Sequence, residues 1–438
     1  MYLDKKSVEI WLSYIREFMN LYRWLSEAFV LDHFVNKHWE QLPLAWRHFL
    51  SQLSPSQLGQ WILHGRLSEN VSTPAPLALE CLRRSAEVLS VDRRFKPRVC
   101  SEKETAITEK QRKILNLHVK PKKRHEIWEL SFLIQELADK SGGIRNVVDV
   151  GSGLGHLCRF LSFGLNFTTV GIDSNAELGN TAGIFNEKIH KNFQKLRSQT
   201  DASKPESENF EKIQHLNQFL EAGDKIVPNY EFGLVGLHGC GDLGGIIVQN
   251  FVQNPQVKFL SFVSCCYMKL TQGYPLSNYL KESRIDLPYV SLELSCHAKE
   301  AYMERLNDSD QVNKLKIHCY RAALETILVK KGFAKEGLRS VKNTHLLGFK
   351  EYAVKATEKL SLKLSNEELE CKENEKMLQE WMKVVCFYTL RVLLAPVIES
   401  AVLLDRALFI LENEFTCGLL PIFDPVKSPR NVVIIGMK

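Results

Sequence analysis

The sequence predicts an α/β fold in which a doubly wound, mostly parallel sheet is accompanied by an N-terminal helical domain and a C-terminal helical insertion or cap. From about residue 120 onwards, short apolar, β-branched segments alternate with segments of helical periodicity, which is the pattern of a parallel sheet with covering helices. Helical periodicity alone dominates residues 4–90. Two apolar segments over 418–437, joined by a proline-containing turn, predict a closing hairpin.

Strands are predicted where apolar residues follow one another without interruption, as in strands covered on both faces. We expect strands at 147–150, 168–172, 232–237 and 258–263, with a weaker candidate for the third strand at 219–222.

A chain of 438 residues is too long for one ordinary compact core, so two or three domains, or one heavily decorated domain, are expected. The predicted boundaries are a helical domain over 1–92, a basic linker over 93–119 and an α/β domain over 120–438. Within the last, a polar insertion is expected at about 197–212, a helical insertion at about 338–415 and the hairpin at 418–437.

Glycines at alternate positions follow the first strand. Gly151, Gly153 and Gly155, with Ser152 between the first two, end the strand and precede a helical segment. Glycine permits positive backbone φ and has no Cβ to hold a ligand away, and the following helix N-terminus offers free amides. This arrangement predicts a turn that brings bare backbone against a nucleoside cofactor.

Two acidic residues accompany the turn. Asp149 precedes the glycines, and Asp173 ends the second strand about 20 residues after the turn, where a carboxylate can bind both ribose hydroxyls. The spacing is G-x-G-x-G rather than the G-x-G-x-x-G of dinucleotide-binding proteins. It resembles the class I (Rossmann-like) methyltransferases, and this resemblance implies S-adenosylmethionine as the cofactor. A glycine-rich loop without a cofactor is the alternative.

The loops after the fourth and fifth strands carry residue types that could act on a substrate, because ligands of open α/β sheets bind outside the carboxyl ends of the strands. Methyl transfer needs an aligned nucleophile and, where that nucleophile starts neutral, an acceptor for its proton. Asp242 and His238 are candidate general bases, and Asp242 could instead bind the adenine or the methionine amino group. Lys269 could orient a substrate oxygen or phosphate, and Tyr267 could stack on a base or line the transfer path.

The helix that leads into the first strand opens with three basic residues followed by His125 and Glu126. Helices in this position often contact the methionine end of the cofactor, so both residues are candidate cofactor ligands. A solvated basic start of a helix is the alternative.

Eleven cysteines are spread without the paired CxxC spacing of a zinc ribbon. Adjacent residues of a strand point to opposite faces, so Cys265 and Cys266 are not expected to share a metal ion. The sequence therefore predicts no metal site and favours small buried side chains at these positions.

Composition indicates a globular protein, with 45% hydrophobic residues, 25% charged residues and a net charge of +6. This mild basicity permits a nucleic-acid partner without requiring one. The first residues show no apolar segment of a signal peptide, so an intracellular setting, in the cytoplasm or the nucleus, is expected rather than secretion. Charged residues interrupt the apolar segment at 384–411, which favours a buried or amphipathic helix over a membrane span.

Several segments together resemble the methyltransferase-like protein 25 family, most closely its 25B branch, also called ribosomal RNA adenine dimethylase domain-containing protein. These segments are 122–126, 148–157, 237–243, 265–270, 318–325 and 428–431. The resemblance covers nearly the whole chain and implies an S-adenosylmethionine-dependent methyltransferase without supplying the substrate.

The chain departs from the pattern that adenine N6-dimethylation requires. Amino-group methyltransferases carry an Asn/Asp-Pro-Pro-aromatic loop after the fourth strand, whereas this chain has His238-Gly-Cys-Gly-Asp242 there. A weaker similarity of the two loops to a tRNA ribose 2′-O-methyltransferase family favours RNA as the substrate. The alternatives are a protein substrate, docked by the N-terminal helices, and a methyltransferase fold retained as a non-catalytic binding or scaffold module.

Overall fold

The computed structural model describes residues 2–65, 73–96, 107–198, 213–226, 228–333, 338, 340–360 and 362–438. Most of the predicted polar insertion at 197–212 lies outside the described residues, as does the part of the predicted linker over 97–106. The chain divides into two compact units. Unit 1 comprises Met1–Arg16, Val91–Asp286 and Glu399–Lys438, and unit 2 comprises Glu17–Ser90 and Leu287–Ile398.

In chain order, the helices of the described residues are α1 (Lys5–Ser26), α2 (His38–Gln41), α3 (Leu44–Leu50), α4 (Pro55–His64), α5 (Leu77–Leu89), α6 (Glu109–Leu115), α7 (Pro121–Lys140), α8 (His156–Arg159), α9 (Ala176–Ser198), α10 (Leu243–Gln253), α11 (Asn278–Ser283), α12 (Tyr289–Ser295), α13 (Lys299–Leu306), α14 (Ser309–Lys314), α15 (Lys316–Lys330), α16 (Phe349–Thr357), α17 (Asn366–Leu369), α18 (Lys372–Gln379) and α19 (Trp381–Glu412).

Unit 1 contains a seven-stranded sheet. Its strands are β1 (Asn146–Val150), β2 (Thr168–Asp173), β3 (Ile213–Asn217), β4 (Phe232–Gly239), β5 (Val257–Ser264), β6 (Thr416–Pro421) and β7 (Val432–Met437). The order is β3-β2-β1-β4-β5-β7-β6; β1 to β5 pair in parallel, and β7 is antiparallel to both β5 and β6. The predicted doubly wound α/β fold of the class I type is thereby confirmed. Its winding reverses between β1 and β4, where ligands bind in such sheets.

The predicted position of the third strand was wrong. β3 occupies Ile213–Asn217, and residues 219–222 form the loop that follows it. As an edge strand with the polar sequence IQHLN, β3 lacks the apolar run that marks the other strands. Phe219, the residue that suggested a strand, is 70% exposed.

Helix α7 covers one face of the sheet and brings its first turn to the carboxyl ends of the strands. Ile127, Leu130 and Ile134 recur at helical spacing and are buried in one cluster with Val147 of β1 and Val235 of β4. Burying each such side chain stabilises the fold by roughly 1.5–3 kcal/mol. Because α7 leads into β1 through a short connection, it runs antiparallel to the strands.

The division into units differs from the predicted boundaries. Residues 17–90 belong to the same unit as 287–398, and within it His38 stacks on Phe387 with ring centroids 4.9 Å apart. The predicted linker belongs to unit 1, where Leu115 of α6 is buried in the core cluster that contains α7. Helices between β5 and β6 begin with α11, well before the insertion predicted at 338–415.

The apolar segment at 384–411 lies within α19, which is buried along most of its length and contains Pro396. Among the described helices, none combines the length and apolar character that crossing a membrane requires.

Candidate active site

A cavity of about 540 Å³ lies at the carboxyl ends of β1, β2 and β4 in unit 1. It brings together four of the residues predicted from sequence, Gly151, Asp173, Asp242 and Lys269. Lys269 is the one cationic side chain among the described residues that line it. The cavity therefore lies at the position expected for a ligand of an open α/β sheet.

The glycine turn has the backbone conformation that its sequence predicts. Gly151, Gly153 and Gly155 have φ of +75°, +53° and +66°. A Cβ at Gly153 would meet nothing within 4 Å, so the turn leaves open space beside its backbone. At Gly155 a Cβ would come within 2.6 Å of His215, so this glycine is required by both conformation and packing.

Asp173 is oriented by the turn. Its Oδ2 accepts a hydrogen bond from the Gly153 amide at 2.8 Å, and its Oδ1 accepts one from the Asn175 amide at 3.0 Å. A carboxylate can accept about four hydrogen bonds, so two positions are left for ligand hydroxyls.

Asp149 is buried beneath the turn. Its Oδ2 accepts a hydrogen bond from the Cys158 thiol at 3.5 Å, and its Oδ1 has no partner among the described residues. Burial raises the pKa of Asp149 to about 6. Ser152 donates its amide to the Ile172 carbonyl and packs its hydroxyl against Gly171, so it supports the turn without lining the cavity.

Asp242 anchors a loop. Its Oδ1 accepts hydrogen bonds from the amides of Thr271, Gln272 and Gly273 at 2.9, 3.1 and 2.8 Å, and its Oδ2 accepts one from the Thr271 hydroxyl. Burial acts to raise the pKa of Asp242, but these bonds outweigh it and hold the pKa below the usual value. A carboxylate stabilised in its ionised form is a weak proton acceptor, which argues against the predicted role as general base.

Tyr267 lies outside the cavity. Its side chain is 2% exposed, and its hydroxyl donates to Glu399 Oε1 at 3.1 Å. Glu399 also forms ion pairs with Arg93 and Arg430, and Arg430 lies over the tyrosine ring. The ring is therefore enclosed in a buried polar network, and the predicted stacking on a substrate base has no support from its position.

His238 and Glu126 pair with each other at the end of β4. His238 Nε2 lies 2.9 Å from Glu126 Oε2, and the Ser428 hydroxyl donates to Glu126 Oε1 at 2.6 Å. Burial alone would raise the pKa of Glu126, but the bonds from His238 and Ser428 and the charges of His238 and Lys123 lower it to about 2. Neither residue is among those that line the cavity.

His125 is also directed elsewhere. Its Nε2 accepts a hydrogen bond from the Asp424 amide at 2.9 Å, and its ring contacts Phe95 and Phe423 edge-on. Burial lowers the pKa of His125. His125 thus attaches α7 to the segment that joins β6 and β7.

Three cysteines lie together, two of which, Cys265 and Cys266, strand alternation was expected to separate. Cys240 Sγ is 3.0 Å from Cys265 Sγ, which is 3.4 Å from Cys266 Sγ. The expectation that Cys265 and Cys266 diverge was wrong because β5 ends at Ser264, and strand alternation no longer applies beyond it. The hydrogen bond with Cys265 lowers the pKa of Cys240 to about 5 and raises that of Cys265.

Sequence reasoning missed two further parts of this region. The loop over 218–220 lines the cavity, although its apolar residues favour a strand. Ser428, the partner of Glu126, comes from the connection between β6 and β7, far along the chain. The segment 428–431, which contributes to the family resemblance, was the sequence signal that could have pointed to Ser428.

Comparison with known proteins supports the type of domain. Residues 122–273 match a family model described as a methyltransferase domain. This range contains β1 to β5, the glycine turn and the loops that border the cavity. This part of the chain, about a third of its length, therefore resembles a methyltransferase domain.

Two curated relatives carry the name probable methyltransferase-like protein 25. The Homo sapiens protein is 30% identical over 225 residues, which are 47% of this chain and 36% of that protein. The Mus musculus protein is 29% identical over 226 residues, 47% of this chain and 37% of that protein. The chain thus covers little more than a third of the length of these relatives.

A solved structure of coclaurine N-methyltransferase, bound to N-methylheliamine and SAH, aligns with 83% of this chain and 95% of its own at 10% identity and a TM-score of 0.24. A TM-score of this size does not establish a common fold, so the fold assignment rests on the strand order described above.

Proposed function

We propose that this protein is an S-adenosylmethionine-dependent methyltransferase whose cofactor occupies the 540 Å³ cavity. The observation that carries the proposal is the convergence of the glycine turn, Asp173 and the loops after β4 and β5 on one cavity at the winding reversal of the sheet. When bound, the cofactor supplies a methyl group activated by a positively charged sulfur.

The residues of the cavity fit such a ligand. The open space beside the Gly153 backbone permits close approach, and Asp173 keeps acceptor positions for the ribose hydroxyls. The buried Oδ1 of Asp149 is an unused acceptor beneath the turn. Lys269 contributes a positive charge that can orient an acceptor bearing a phosphate or a polarised oxygen.

We propose RNA as the substrate class. The support is the resemblance of the loops after β4 and β5 to a tRNA ribose methyltransferase family. The positively charged side chain of Lys269 in the cavity and the net charge of +6 are in keeping with it. The names of the relatives specify no substrate, and the resemblance to the 25B branch stays a prediction. The alternatives to an RNA substrate are a protein substrate and a non-catalytic binding role, and the experiments below distinguish the three.

The cofactor is tested by calorimetric titration of the full chain with S-adenosylmethionine and S-adenosylhomocysteine. Asp173→Ala removes hydrogen bonds between a charged group and the ligand, each worth about 1.5–3 kcal/mol, so the affinity is expected to fall at least about tenfold. Asp139→Ala is the matched control, since this half-exposed carboxylate pairs with Arg145 and does not line the cavity. Equal affinity in wild type and Asp173→Ala would contradict the assignment.

The substrate class is tested separately, by incubating the protein with methyl-labelled cofactor and cellular RNA or protein fractions. Label that is released by ribonuclease supports RNA, whereas label that is released only by protease supports a protein substrate. Cofactor binding without label in either fraction would favour the non-catalytic role.

A further inference from the structure

The three cysteines beside the cavity form a compact group of sulfur atoms from two loops. Cys240 follows β4, and Cys265 and Cys266 follow β5. Their Sγ atoms all lie within 4.8 Å of one another; Cys265 Sγ is 3.0 Å from that of Cys240 and 3.4 Å from that of Cys266.

The backbone around the group is held in place by hydrogen bonds between the two loops and within the second of them. The Gly241 amide donates to the Cys266 carbonyl at 3.3 Å, and the Lys269 amide donates to the same carbonyl at 3.1 Å. Gly241 has a φ of +55°, and a Cβ there would lie 2.5 Å from the Lys269 carbonyl oxygen. The close approach of the sulfurs therefore follows from the course of the main chain and not only from side-chain rotamers.

This spacing suits one tetrahedral metal ion. Zinc–sulfur bonds of about 2.3 Å place the sulfurs of a tetrahedral site about 3.8 Å apart. Two of the observed sulfur separations, 3.0 and 3.4 Å, are somewhat shorter than that distance, and none exceeds 4.8 Å, so small outward rotations of the side chains would admit the ion. Thiolates favour zinc over hard cations such as Mg²⁺ and Ca²⁺.

We propose that Cys240, Cys265 and Cys266 bind one Zn²⁺ ion through three thiolates, with the fourth coordination position open to solvent or to a substrate atom. Among the described residues, no histidine, carboxylate or further cysteine joins the group. Structural zinc sites have four protein ligands, whereas catalytic sites have three and keep one position open. The proposed site therefore has the composition of a catalytic centre.

The position of the group connects the ion with the cavity. Cys240 lines the cavity together with Gly151 and Lys269. A hydroxyl or thiol bound to the ion would lose its proton to solvent more readily, and its oxygen or sulfur could then attack the cofactor methyl group as the carbon–sulfur bond of the cofactor breaks. The ion would thus activate the nucleophile. Asp242 is poorly suited to that role because its carboxylate is engaged in hydrogen bonds with the loop. This last step rests on the proposed function; metal binding itself does not.

The test measures metal content directly. The 438-residue protein, purified without chelator and under reducing conditions, is analysed by mass spectrometry of its metals, and chelator-stripped protein is titrated with Zn²⁺. We expect about one zinc per chain, restored after stripping, and loss of most of it in Cys240→Ser, Cys265→Ser and Cys266→Ser. Cys81→Ser changes an exposed cysteine and is expected to retain the metal.

Substitution of Co²⁺ for zinc provides a readout that does not depend on the folding of the variants. Absorption of the Co²⁺ protein should show tetrahedral geometry and sulfur-to-metal charge transfer, and an added small thiol should shift the spectrum by occupying the open position. The proposal would be overturned if the wild-type protein contained no zinc as purified and bound none after reduction. This holds also if the protein as purified has a disulfide between Cys240 and Cys265 and still binds no zinc once that bond is reduced. Zinc bound equally well after all three substitutions, or a different metal bound by the same cysteines, would also overturn it.

This outcome can be separated from that of the proposed function. Asp173→Ala should bind zinc like the wild type while losing cofactor affinity, and Cys240→Ser should lose zinc whether or not the cofactor binds.

Discussion

Two buried carboxylates near the cavity have opposite electrostatic environments. Asp149 is fully buried and one of its oxygens has no hydrogen-bond partner among the described residues; burial outweighs the Cys158 hydrogen bond and the Lys123 charge and raises its pKa to about 6. Glu126 is 1% exposed and accepts bonds from His238 and Ser428, and its pKa is lowered to about 2. The first residue therefore opposes folding when it is ionised, whereas the second favours it.

Asp149→Asn is expected to stabilise the protein without ligand at neutral pH. The folded-state pKa of about 6 exceeds the ordinary value of 3.8, so ionisation costs stability as the pH rises through this range. At 1.36 kcal/mol per pKa unit, the gain in unfolding free energy at pH 7 is up to about 3 kcal/mol and should vanish below about pH 4. Denaturant unfolding at several pH values measures it, with the exposed Asp139→Asn as control; a loss of stability at pH 7 would contradict the assigned environment.

Glu126→Gln is expected to act in the opposite direction. The folded-state pKa of about 2 lies below the ordinary value of 4.5, so the ionised side chain stabilises the fold above pH 4.5, and this contribution is lost as the pH falls towards 2. We expect the variant to be about 2–3 kcal/mol less stable at pH 7, with the difference narrowing below about pH 4.5. Glu136→Gln, on the exposed face of the same helix, should be nearly neutral throughout, and a pH-independent difference for Glu126→Gln would refute the role of its charge.

At the scale of elements, α19 supplies carboxylates that fix the start of α11. Asp405 is fully buried; its Oδ2 accepts the Leu276 amide at 2.8 Å, and its Oδ1 accepts the Ser277 amide at 2.9 Å and the Ser277 hydroxyl at 2.7 Å. Glu412, which is half-buried, accepts the amides of the next two residues at 2.8 and 3.0 Å. The main-chain amides of residues 276–279, at the start of α11, therefore depend on α19 for their hydrogen-bond acceptors.

The two carboxylates should differ in importance. Asp405→Ala leaves buried amides without acceptors, and we expect a loss of about 3–5 kcal/mol in unfolding free energy. Glu412→Ala should cost no more than about 1 kcal/mol, because water can replace a half-buried carboxylate. Thermal and denaturant unfolding of both variants provides the comparison, and equal losses would show that burial does not decide the effect.

Strands and turns with a characteristic local sequence could be predicted, whereas contacts between residues that are distant in the chain could not. β1, β2, β4 and β5 were recognisable because buried parallel strands are continuously apolar, and the glycine turn was recognisable because its conformation demands glycine. β3 was missed because an edge strand has no such run. The approach of Cys240 to Cys265 and Cys266 depends on the path of two loops after their strands end, which residue spacing does not encode.

At the scale of the molecule, each compact unit is assembled from distant parts of the chain. Within unit 2, Cys386 Sγ donates to the Leu50 carbonyl at 3.7 Å, and Arg391, 2% exposed, donates to the carbonyls of Leu25 and Ser26 at 3.2 Å. Residues 17–90 are thus structural partners of 287–398, which helical periodicity alone could not reveal.

A fragment that comprises residues 93–438 is therefore expected to fold poorly. It keeps the parts of unit 2 over 287–398 but loses the carbonyl partners of the buried Arg391 and the ring of His38 against Phe387. We expect aggregation or loss of cooperative unfolding, measured by size-exclusion chromatography and calorimetry beside the full chain. A monomeric fragment with a sharp thermal transition would contradict this expectation.

The place of β7 also has a consequence for synthesis of the protein. β7 pairs with both β5 and β6, although β5 is made long before it. Until residues 432–437 leave the ribosome, β5 presents an unpaired edge and β6 lacks its neighbour, so the nascent sheet is open to pairing with other chains. Chaperones that protect the nascent chain should therefore raise the yield of this protein, and termination before residue 432 should lower it. Both effects should be larger than those of substitutions on its outer helices.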